Sequence, residues 1–230
     1  MAGKQDPAQD RLSRTFFARP VLDVAPELLG CHISHAGVTV RLTEVEAYDG
    51  SNDPASHAFR GPTARTQVMF GEPGGLYVYF TYGMHWCANL VCGAAGAASA
   101  VLLRAGEVVD GLDLARSRRS CIVDRDLARG PARLTVALAL GRDQNGLDIT
   151  ATGSDVVVRP PMPAGPVRRT GSGGASGGVV RSGPRVGVSG PGGDGAAYPW
   201  RFWLEGEATV SAYRPGTVRR SKPAGTSDEP

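Results

Sequence analysis

Three things are scarce in this sequence: lysine, long apolar runs and closely spaced cysteines. Only Lys4 and Lys222 are lysines, whereas 23 residues are arginines. Apolar runs such as residues 97–103 fall far short of the roughly 20 residues that a membrane-spanning helix requires. Residues 1–14 lack the charged and then apolar pattern of a secretory leader. These absences predict a cytoplasmic protein that has no membrane partner.

The cysteines and histidines do not form a metal-binding pattern. No C-x-x-C pair occurs, and a chain of this length needs no disulfide to stabilise its core. A structural zinc site needs two close ligand pairs, which the histidines do not supply near the cysteines. We therefore predict reduced, packed cysteines and no metal ion. The residues concerned are Cys31, Cys87, Cys92, Cys121, His32, His35, His57 and His85.

The charge balance is mild, but its chemistry is one-sided. The chain has 25 basic and 22 acidic residues, for a net charge of +3. Because the planar guanidinium group suits phosphate better than the lysine ammonium does, the arginines indicate an anionic partner. A genome biased toward arginine, glycine and alanine codons explains the same composition, so both interpretations stay open.

The composition along the chain predicts one folded domain with loose ends. Hydrophobic residues make up 41% and charged residues 20%, which are ordinary values for a globular domain. We expect flexible tails at 1–14 and 214–230, with the domain spanning 15–213. Residues 160–198 are rich in glycine, proline and serine and predict a flexible insertion, because such a stretch has little to bury. The R-V-G-V segment at 185–188 is expected to return to the body of the domain.

Short strands and helices alternate in the rest of the chain. This pattern predicts an α+β fold, a single domain with a curved, mostly antiparallel sheet and flanking short helices. The helix expected at 23–30 has Asp23 as its N-cap and Pro26 in its first turn. The other predicted helices are 111–119 and 130–141, and the predicted strands are 31–35, 38–48, 76–82, 88–92, 100–104, 200–204 and 208–213.

The segment R-L-T-E-V-E-A-Y-D-G at 41–50 holds the first chemically informative pattern. Alternate side chains of a strand share a face, so Glu44, Glu46 and Tyr48 point one way, opposite Val45 and Ala47. A carboxylate beside an aromatic ring suits a general base next to a stacking platform. Two glutamates on a solvent-exposed face are the other interpretation.

Aromatic residues crowd into 74–86, G-G-L-Y-V-Y-F-T-Y-G-M-H-W. We expect Phe80 and Trp86 in the core, whereas Tyr82, just before Gly83, is placed to stand out from a turn. Exposed aromatic rings near arginines stack on nucleic-acid bases, although an aromatic strand is equally typical of a core. His57, in the loop 53–66 that also carries arginines, is either functional or incidental.

Together these segments resemble the methylpurine (alkyladenine) DNA glycosylase family. The resemblance rests on an ordered set of motifs running from residue 16 to residue 213, apart from the glycine-rich stretch. The motifs are V-E-A-Y at 45–48, S-H-A-F-R-G at 56–61, M-F-G-x-P-G-x-L-Y-V-Y-F-T-Y-G-M-H at 69–85, A-N-L-V at 88–91, V-L-L-R-A at 101–105, G-P-A-R-L at 130–134, R-V-G-V at 185–188 and W-R-F-W at 200–203.

The resemblance implies a monofunctional enzyme that flips damaged purines out of duplex DNA and hydrolyses their N-glycosidic bond. Such an enzyme needs neither metal nor cofactor. The resemblance also implies that the partner is double-stranded DNA carrying damaged purines, and we expect the protein to be a monomer. Glu46 matches the general base that activates a water. Arg104 and a backbone carbonyl, assigned to Val186, match the other groups that hold this water. An Arg104–Glu46 contact would also favour the ionised carboxylate.

The resemblance also assigns the substrate pocket and the DNA-binding surface. Tyr48, His57 and Tyr79 match pocket walls that favour electron-poor or cationic purines such as 3-methyladenine and 7-methylguanine, with hypoxanthine and ethenoadenine as further candidates. Asn89 matches a position that crowds the amino group of normal guanine. The residues matched to DNA contacts are Tyr82, the wedge that replaces the flipped nucleotide, its neighbours Met84 and His85, and the phosphate contacts Arg65, Gly130 and Arg133.

One segment departs from the family pattern, and two other functions compete. The family loop reads T-P-R after a basic residue, whereas residues 61–65 read G-P-T-A-R, so the role of Arg65 is less secure. A protein that binds distorted DNA without cutting it is the alternative, although such a protein gains nothing from Glu46 near phosphates. A carbohydrate glycosidase using Glu44 and Glu46 fails, since Cα atoms two residues apart on a strand are only about 6.6 Å apart.

Overall fold

The computed structural model describes residues 11–81, 83–119, 123–161 and 178–217. Eight strands form one sheet, and every strand pairing among these residues is antiparallel. The strands are β1 (His32–His35), β2 (Val38–Asp49), β3 (Leu76–Thr81), β4 (His85–Cys92), β5 (Ser99–Asp110), β6 (Val157–Arg159), β7 (Val180–Gly183) and β8 (Arg201–Leu204). The predicted α+β single domain with an antiparallel sheet is confirmed.

The sheet order places the two long strands at the centre. The order is β3-β4-β5-β2-β1-β6, and β8 pairs with the second half of β2 while also pairing with β7. β2 therefore has neighbours on both edges along most of its length. The predicted hairpins 31–48 and 76–92 are confirmed as β1–β2 and β3–β4. β5 continues six residues beyond the predicted end at Arg104.

In the described ranges, four short α-helices accompany the sheet: α1 (Arg14–Phe17), α2 (Val21–Glu27), α3 (Leu112–Arg118) and α4 (Pro131–Ala137). α2 begins directly after Pro20, so the expectation that Asp23 caps it is wrong, and Pro26 lies in its last turn. α4 has Pro131 at its first position, as predicted, but ends at Ala137. Ala139 follows with a φ of 50°, which is incompatible with continuing the helix to residue 141.

One face of the sheet is the hydrophobic core. α2 and α4 pack against the central strands, and their Val24 and Leu134 are fully buried together with Val45, Ala47 and the rest of this core. A smaller apolar cluster lies apart from it, formed by Ala58, Met69, Tyr77, Val91, Ala98 and Ala100. β-strand side chains alternate between the two faces of a sheet. Glu46, which follows Val45, and Arg104, which follows Leu103, therefore point to the face opposite the core, called the second face below.

Two further expectations for the fold are wrong. Phe80 is not a core residue, since 46% of it is exposed, and it packs against the half-buried Trp86 with 4.9 Å between ring centroids. Residues 208–213 form no strand. β6 and β7 fall outside the predicted strands, and β7 lies within residues 160–198, the stretch whose composition predicts a flexible insertion. Within the described residues, no helix is long and apolar enough to cross a membrane.

Candidate active site

A cavity of about 430 Å³ lies on the second face of the sheet. This volume falls in the range of roughly 300–1,000 Å³ that is typical of small-molecule sites. Strands β2, β3, β4 and β5 contribute its floor, and two distant segments, near residues 55–57 and 186–189, close over it. Eight residues singled out by the sequence line it: Glu46, Tyr48, His57, Tyr79, His85, Asn89, Arg104 and Val186.

Glu46 is a fully buried carboxylate held by two hydrogen-bond donors. The Val186 backbone N–H donates to its Oε1 at 2.7 Å, and the Tyr48 hydroxyl donates to its Oε2 at 2.9 Å. Burial raises the pKa of Glu46 above its ordinary value, although Arg104 and both donors act in the opposite direction. The interpretation of β2 as a solvent-exposed glutamate face is therefore wrong, because Glu44 and Glu46 are both 0% exposed.

Arg104 contacts both glutamates of β2, and Glu44 more closely. Its Nε donates to Glu44 Oε1 at 2.8 Å and lies 3.5 Å from Glu46 Oε1. Arg104 has no partner in the β2–β5 register, because Glu44 pairs with Ala105 and the next residue, Val45, pairs with Leu103. A β-bulge therefore lies at Arg104, whose side chain is on the cavity-facing side of β5 together with that of Leu102. Arg104 lines the cavity beside Glu46.

Glu44 does not line the cavity. Besides Arg104, its carboxylate accepts hydrogen bonds from Arg201 Nε at 2.7 Å and from the backbone and side chain of Ser211 at 2.7 and 2.9 Å. The hydrogen bonds from Arg201 and Ser211 hold β8 and the segment that follows it on β2. The structure therefore separates the two carboxylates: Glu44 is part of the scaffold, and Glu46 faces the cavity.

Aromatic rings form one wall of the cavity. Tyr77 and Tyr79 are stacked with 5.2 Å between ring centroids, and the His57 ring meets Tyr79 edge-on at 4.6 Å. The Tyr77 hydroxyl lies 3.4 Å from His57 Nδ1. Loss of water around the imidazole lowers the pKa of His57, and the nearby Arg65 charge lowers it further. His57 is therefore a neutral member of this wall at neutral pH.

Asn89 lies on β4 at the floor of the cavity. Its Nδ2 donates to the Tyr77 carbonyl at 3.2 Å, which orients the amide, and only 5% of the residue is exposed. Cys87, two residues earlier on the same face, also lines the cavity opposite Tyr79. Burial raises the pKa of the Cys87 thiol, so this side chain is neutral.

Residues 185–189, called the strap below, cover the cavity from a distant part of the chain. Val186, Gly187, Val188 and Ser189 line it, and Gly187 has a φ of 74° that favours glycine. Arg185 does not line the cavity and is 1% exposed. The strap thus belongs to the body of the domain, as R-V-G-V predicted, and β7 immediately precedes it.

Among the residues predicted to contact DNA, one lines the cavity. His85 lines it, Met84 is 68% exposed, and Tyr82 lies outside the described residues. Gly130 has a φ of 111° and no atom within 4 Å of a Cβ placed on it, which leaves room for a close approach.

Two arginines of the predicted DNA-binding surface differ in their partners. The exposed Arg65 carries its guanidinium 5.1 Å from the Tyr79 ring centroid. Arg133 Nη1 lies 3.6 Å from Asp126 Oδ2, so part of its charge is compensated. Across the described ranges, no three His, Cys, Asp or Glu side chains come together as a metal site would require.

Sequence reasoning missed several residues of the site. Tyr77 shares the face of Tyr79 by strand alternation, so the sequence carried a signal for it. The fully buried ion pair between Asp53 and Arg185 carried none, because 132 residues separate the two partners. Ala55, Met69, Leu102, Pro131 and Ala132 line the cavity through backbone placement and apolar contact.

Comparison with known proteins shows the family of this chain. Residues 15–208 match the family described as methylpurine-DNA glycosylase. A Streptomyces avermitilis protein named "Putative 3-methyladenine DNA glycosylase" is 52% identical over 222 residues, which cover 94% of this chain and 98% of that protein. Proteins of the same name from Frankia casuarinae and Leifsonia xyli are 54% and 50% identical, each over 87% of this chain and 92% of their own length. This chain belongs to the methylpurine-DNA glycosylase family.

Proposed function

We propose that this protein is a base-excision repair glycosylase that hydrolyses the N-glycosidic bond of alkylated purines flipped out of duplex DNA. The observation that carries the proposal is a buried carboxylate, Glu46, at the floor of an aromatic-walled cavity of about 430 Å³. Burying such a carboxylate costs desolvation free energy. An enzyme needs the carboxylate there as a general base, whereas a protein that only binds DNA has no use for it.

Glu46 would act on a water held between it, Arg104 and the backbone of Val186. The raised pKa makes the ionised carboxylate a stronger base than an exposed glutamate. The water oxygen bonds to C1′ of the deoxyribose, its proton passes to Glu46, and the bonding electrons of the C1′–N bond leave with the base. Carboxylate charge also stabilises the oxocarbenium-like transition state.

The cavity wall suits a positively charged purine. Tyrosine faces attract a planar cation, and the Tyr79 ring already carries the Arg65 guanidinium at 5.1 Å. The bases 3-methyladenine and 7-methylguanine are cationic as nucleotides, and the departing electron pair neutralises them. They therefore leave without a general acid. Hypoxanthine and ethenoadenine are further candidate substrates, and Asn89 is the residue proposed to discriminate against normal guanine.

The reaction would stop at base removal. A lyase step needs an amine to form a Schiff base, and no lysine occurs between Lys4 and Lys222. We further propose that Tyr82 fills the gap left by the flipped nucleotide, with Met84 and His85 beside it, and that Arg65, Gly130 and Arg133 meet phosphates. The enzyme would work as a monomer in the cytoplasm, at the nucleoid of a bacterial cell.

The test is single-turnover base release from duplexes carrying 7-methylguanine, hypoxanthine or ethenoadenine. Glu46→Gln should lose about 10²–10⁴-fold in rate, the usual contribution of a general base, and should keep its affinity for the lesion. Glu205→Gln is the matched control, because Glu205 is an exposed carboxylate paired with Arg181, and its rate should equal that of the wild type. The product strand should break only after alkali treatment.

Two results would contradict the proposal. Tight binding of every lesion without base release would favour the alternative, a binder of damaged DNA. Base release by Glu46→Gln at the wild-type rate would show that Glu46 is not the general base.

A further inference from the structure

The most deeply buried cation of the described chain lies behind the cavity. Arg185 is the largest side chain with less than 2% exposure, and its partner Asp53 is 0% exposed. The guanidinium grips the carboxylate with two nitrogens, Nη1 to Oδ2 at 2.5 Å and Nη2 to Oδ1 at 2.7 Å. Such a two-pronged pair sets orientation as well as distance.

The pair connects four separate segments of the chain. Arg185 also donates to the Ala47 carbonyl of β2 at 2.9 Å and to the Gly192 carbonyl at 2.8 Å. Asp53 Oδ1 in turn accepts from the Ala55 backbone N–H at 3.0 Å. The strap, β2, the loop at 53–55 and the turn at Gly192 are therefore joined at one point.

Both hydrogen-bond donors to Glu46 are next to Arg185, one along the chain and the other in space. Val186, whose N–H donates to Glu46 at 2.7 Å, is the residue after Arg185. Tyr48, whose hydroxyl donates to Glu46 at 2.9 Å, carries the Arg185 guanidinium 4.5 Å above its ring centroid. Displacement of Arg185 would move both donors away from the carboxylate.

We infer that the Arg185–Asp53 pair is a positioning device that holds the Val186 N–H and the Tyr48 hydroxyl on Glu46 and the strap over the cavity. The inference rests on the proposed function of Glu46. Stability alone does not account for the pair, because well-packed apolar residues often replace a buried ion pair without loss. Arg185 Nε is, moreover, buried without a hydrogen-bond partner among the described residues, which costs folding free energy.

Two substitutions disturb the device in different ways. Arg185→Lys keeps the positive charge but loses the planar fork, so it cannot hold Asp53 and both carbonyls in one geometry. Gly192→Ala keeps both charges of the pair, but its Cβ would lie 2.6 Å from the Ala55 backbone nitrogen. Either residue 192, whose carbonyl accepts from Arg185, or the loop at 53–55 that carries Asp53 must therefore move. Gly153→Ala is the matched control, because its Cβ would meet no atom within 4 Å.

The experiment measures single-turnover release of 7-methylguanine across pH, together with thermal unfolding. We expect Arg185→Lys and Gly192→Ala to lose up to about 10²-fold in rate, as small misplacements of catalytic groups do. The acid limb of the profile should also move to higher pH. Both donors favour the ionised form of Glu46, so their loss raises the pKa of this base. Gly153→Ala should match the wild type in both rate and profile.

A purely structural pair predicts a different result. Both variants would then lower the melting temperature while the folded enzyme keeps the wild-type rate and acid limb, and this outcome would overturn the inference. If Arg185→Lys does not fold, Gly192→Ala decides the question by the same criterion.

A second readout is the NMR titration of the ¹³C-labelled Glu46 carboxyl, which needs no activity. An upward move in the variants supports the device, and an unchanged titration overturns it, even if the wild type releases no base. Absence of base release by the wild type would count against the proposed function alone.

Discussion

The substitution Glu44→Gln tests the distinction between the two carboxylates of β2. Glu44 is 0% exposed and accepts hydrogen bonds from Arg104 Nε at 2.8 Å, Arg201 Nε at 2.7 Å and the Ser211 N–H at 2.7 Å. Glutamine has nearly the same shape, but its NH₂ group must face one of these donors whichever way the amide turns. The two buried guanidinium groups also lose their shared negative charge.

The expected destabilisation follows from these contacts. Breaking a buried ion pair by removing one partner costs about 3–5 kcal/mol, because an uncompensated charge remains. Arg104 keeps Glu46 at 3.5 Å, so we expect the lower end of this range, about 3 kcal/mol. For a domain of this size, about 1 kcal/mol lowers the melting temperature by about 2–4 °C. The melting temperature should therefore fall by about 6–12 °C.

The assay is urea unfolding followed by circular dichroism, with Glu107→Gln as the matched control. Glu107 also pairs with an arginine across β2 and β5, Arg41 at 2.8 Å, but its side chain is 51% exposed and Arg41 keeps Glu207 as a second partner. The control should lose less than about 1 kcal/mol. A Glu44→Gln free energy of unfolding within about 1 kcal/mol of the wild type, at an unchanged m-value, would refute the reasoning.

Two further predictions concern Glu46 and Tyr79. Burial raises the pKa of Glu46 in the folded state, so the folded protein binds this proton more tightly than the unfolded chain does, and stability is lost as pH rises through the folded pKa. Glu46→Gln should therefore melt at or above the wild-type temperature at neutral pH, with the difference shrinking in acid. A lower melting temperature at neutral pH would contradict this sign. Tyr79→Ala in the Glu46→Gln background should lose about 1–3 kcal/mol of stacking, which weakens binding of a 7-methylguanine duplex by about 5–150-fold in fluorescence anisotropy. Tyr79→Phe should bind nearly as the parent does, and equal losses for both variants would show that the ring face is not used.

Much of the site could be predicted from local patterns. Strand alternation correctly placed Glu46 and Tyr48 on one face of β2, opposite the buried Val45 and Ala47. The ordered motifs identified Tyr79, Asn89 and Arg104, and all three line the cavity. These inferences worked because side-chain direction in a strand depends only on the position along the chain.

The long-range partners could not be predicted. Alternation states which side chains share a face, but it does not state whether water or protein covers that face. The cover over Glu46 comes from Val186, 140 residues away, and from the segment at 55–57. For the same reason the raised pKa of Glu46 could not be inferred. The Arg104 contact expected from the resemblance lowers this pKa, and the burial that outweighs it depends on the distant segments.

The sequence by itself determined the antiparallel hairpins, the faces of the strands and the family to which the chain belongs. Only the tertiary structure decided that Glu44 belongs to the scaffold, that a bulge of the β2–β5 register lies at Arg104, and that Arg185 forms an ion pair with Asp53. The physical reason is that hydrophobic periodicity and turn formation depend on residues that are close together in the chain. Burial, bulge register and ion pairing depend instead on segments that meet only when the sheet has formed.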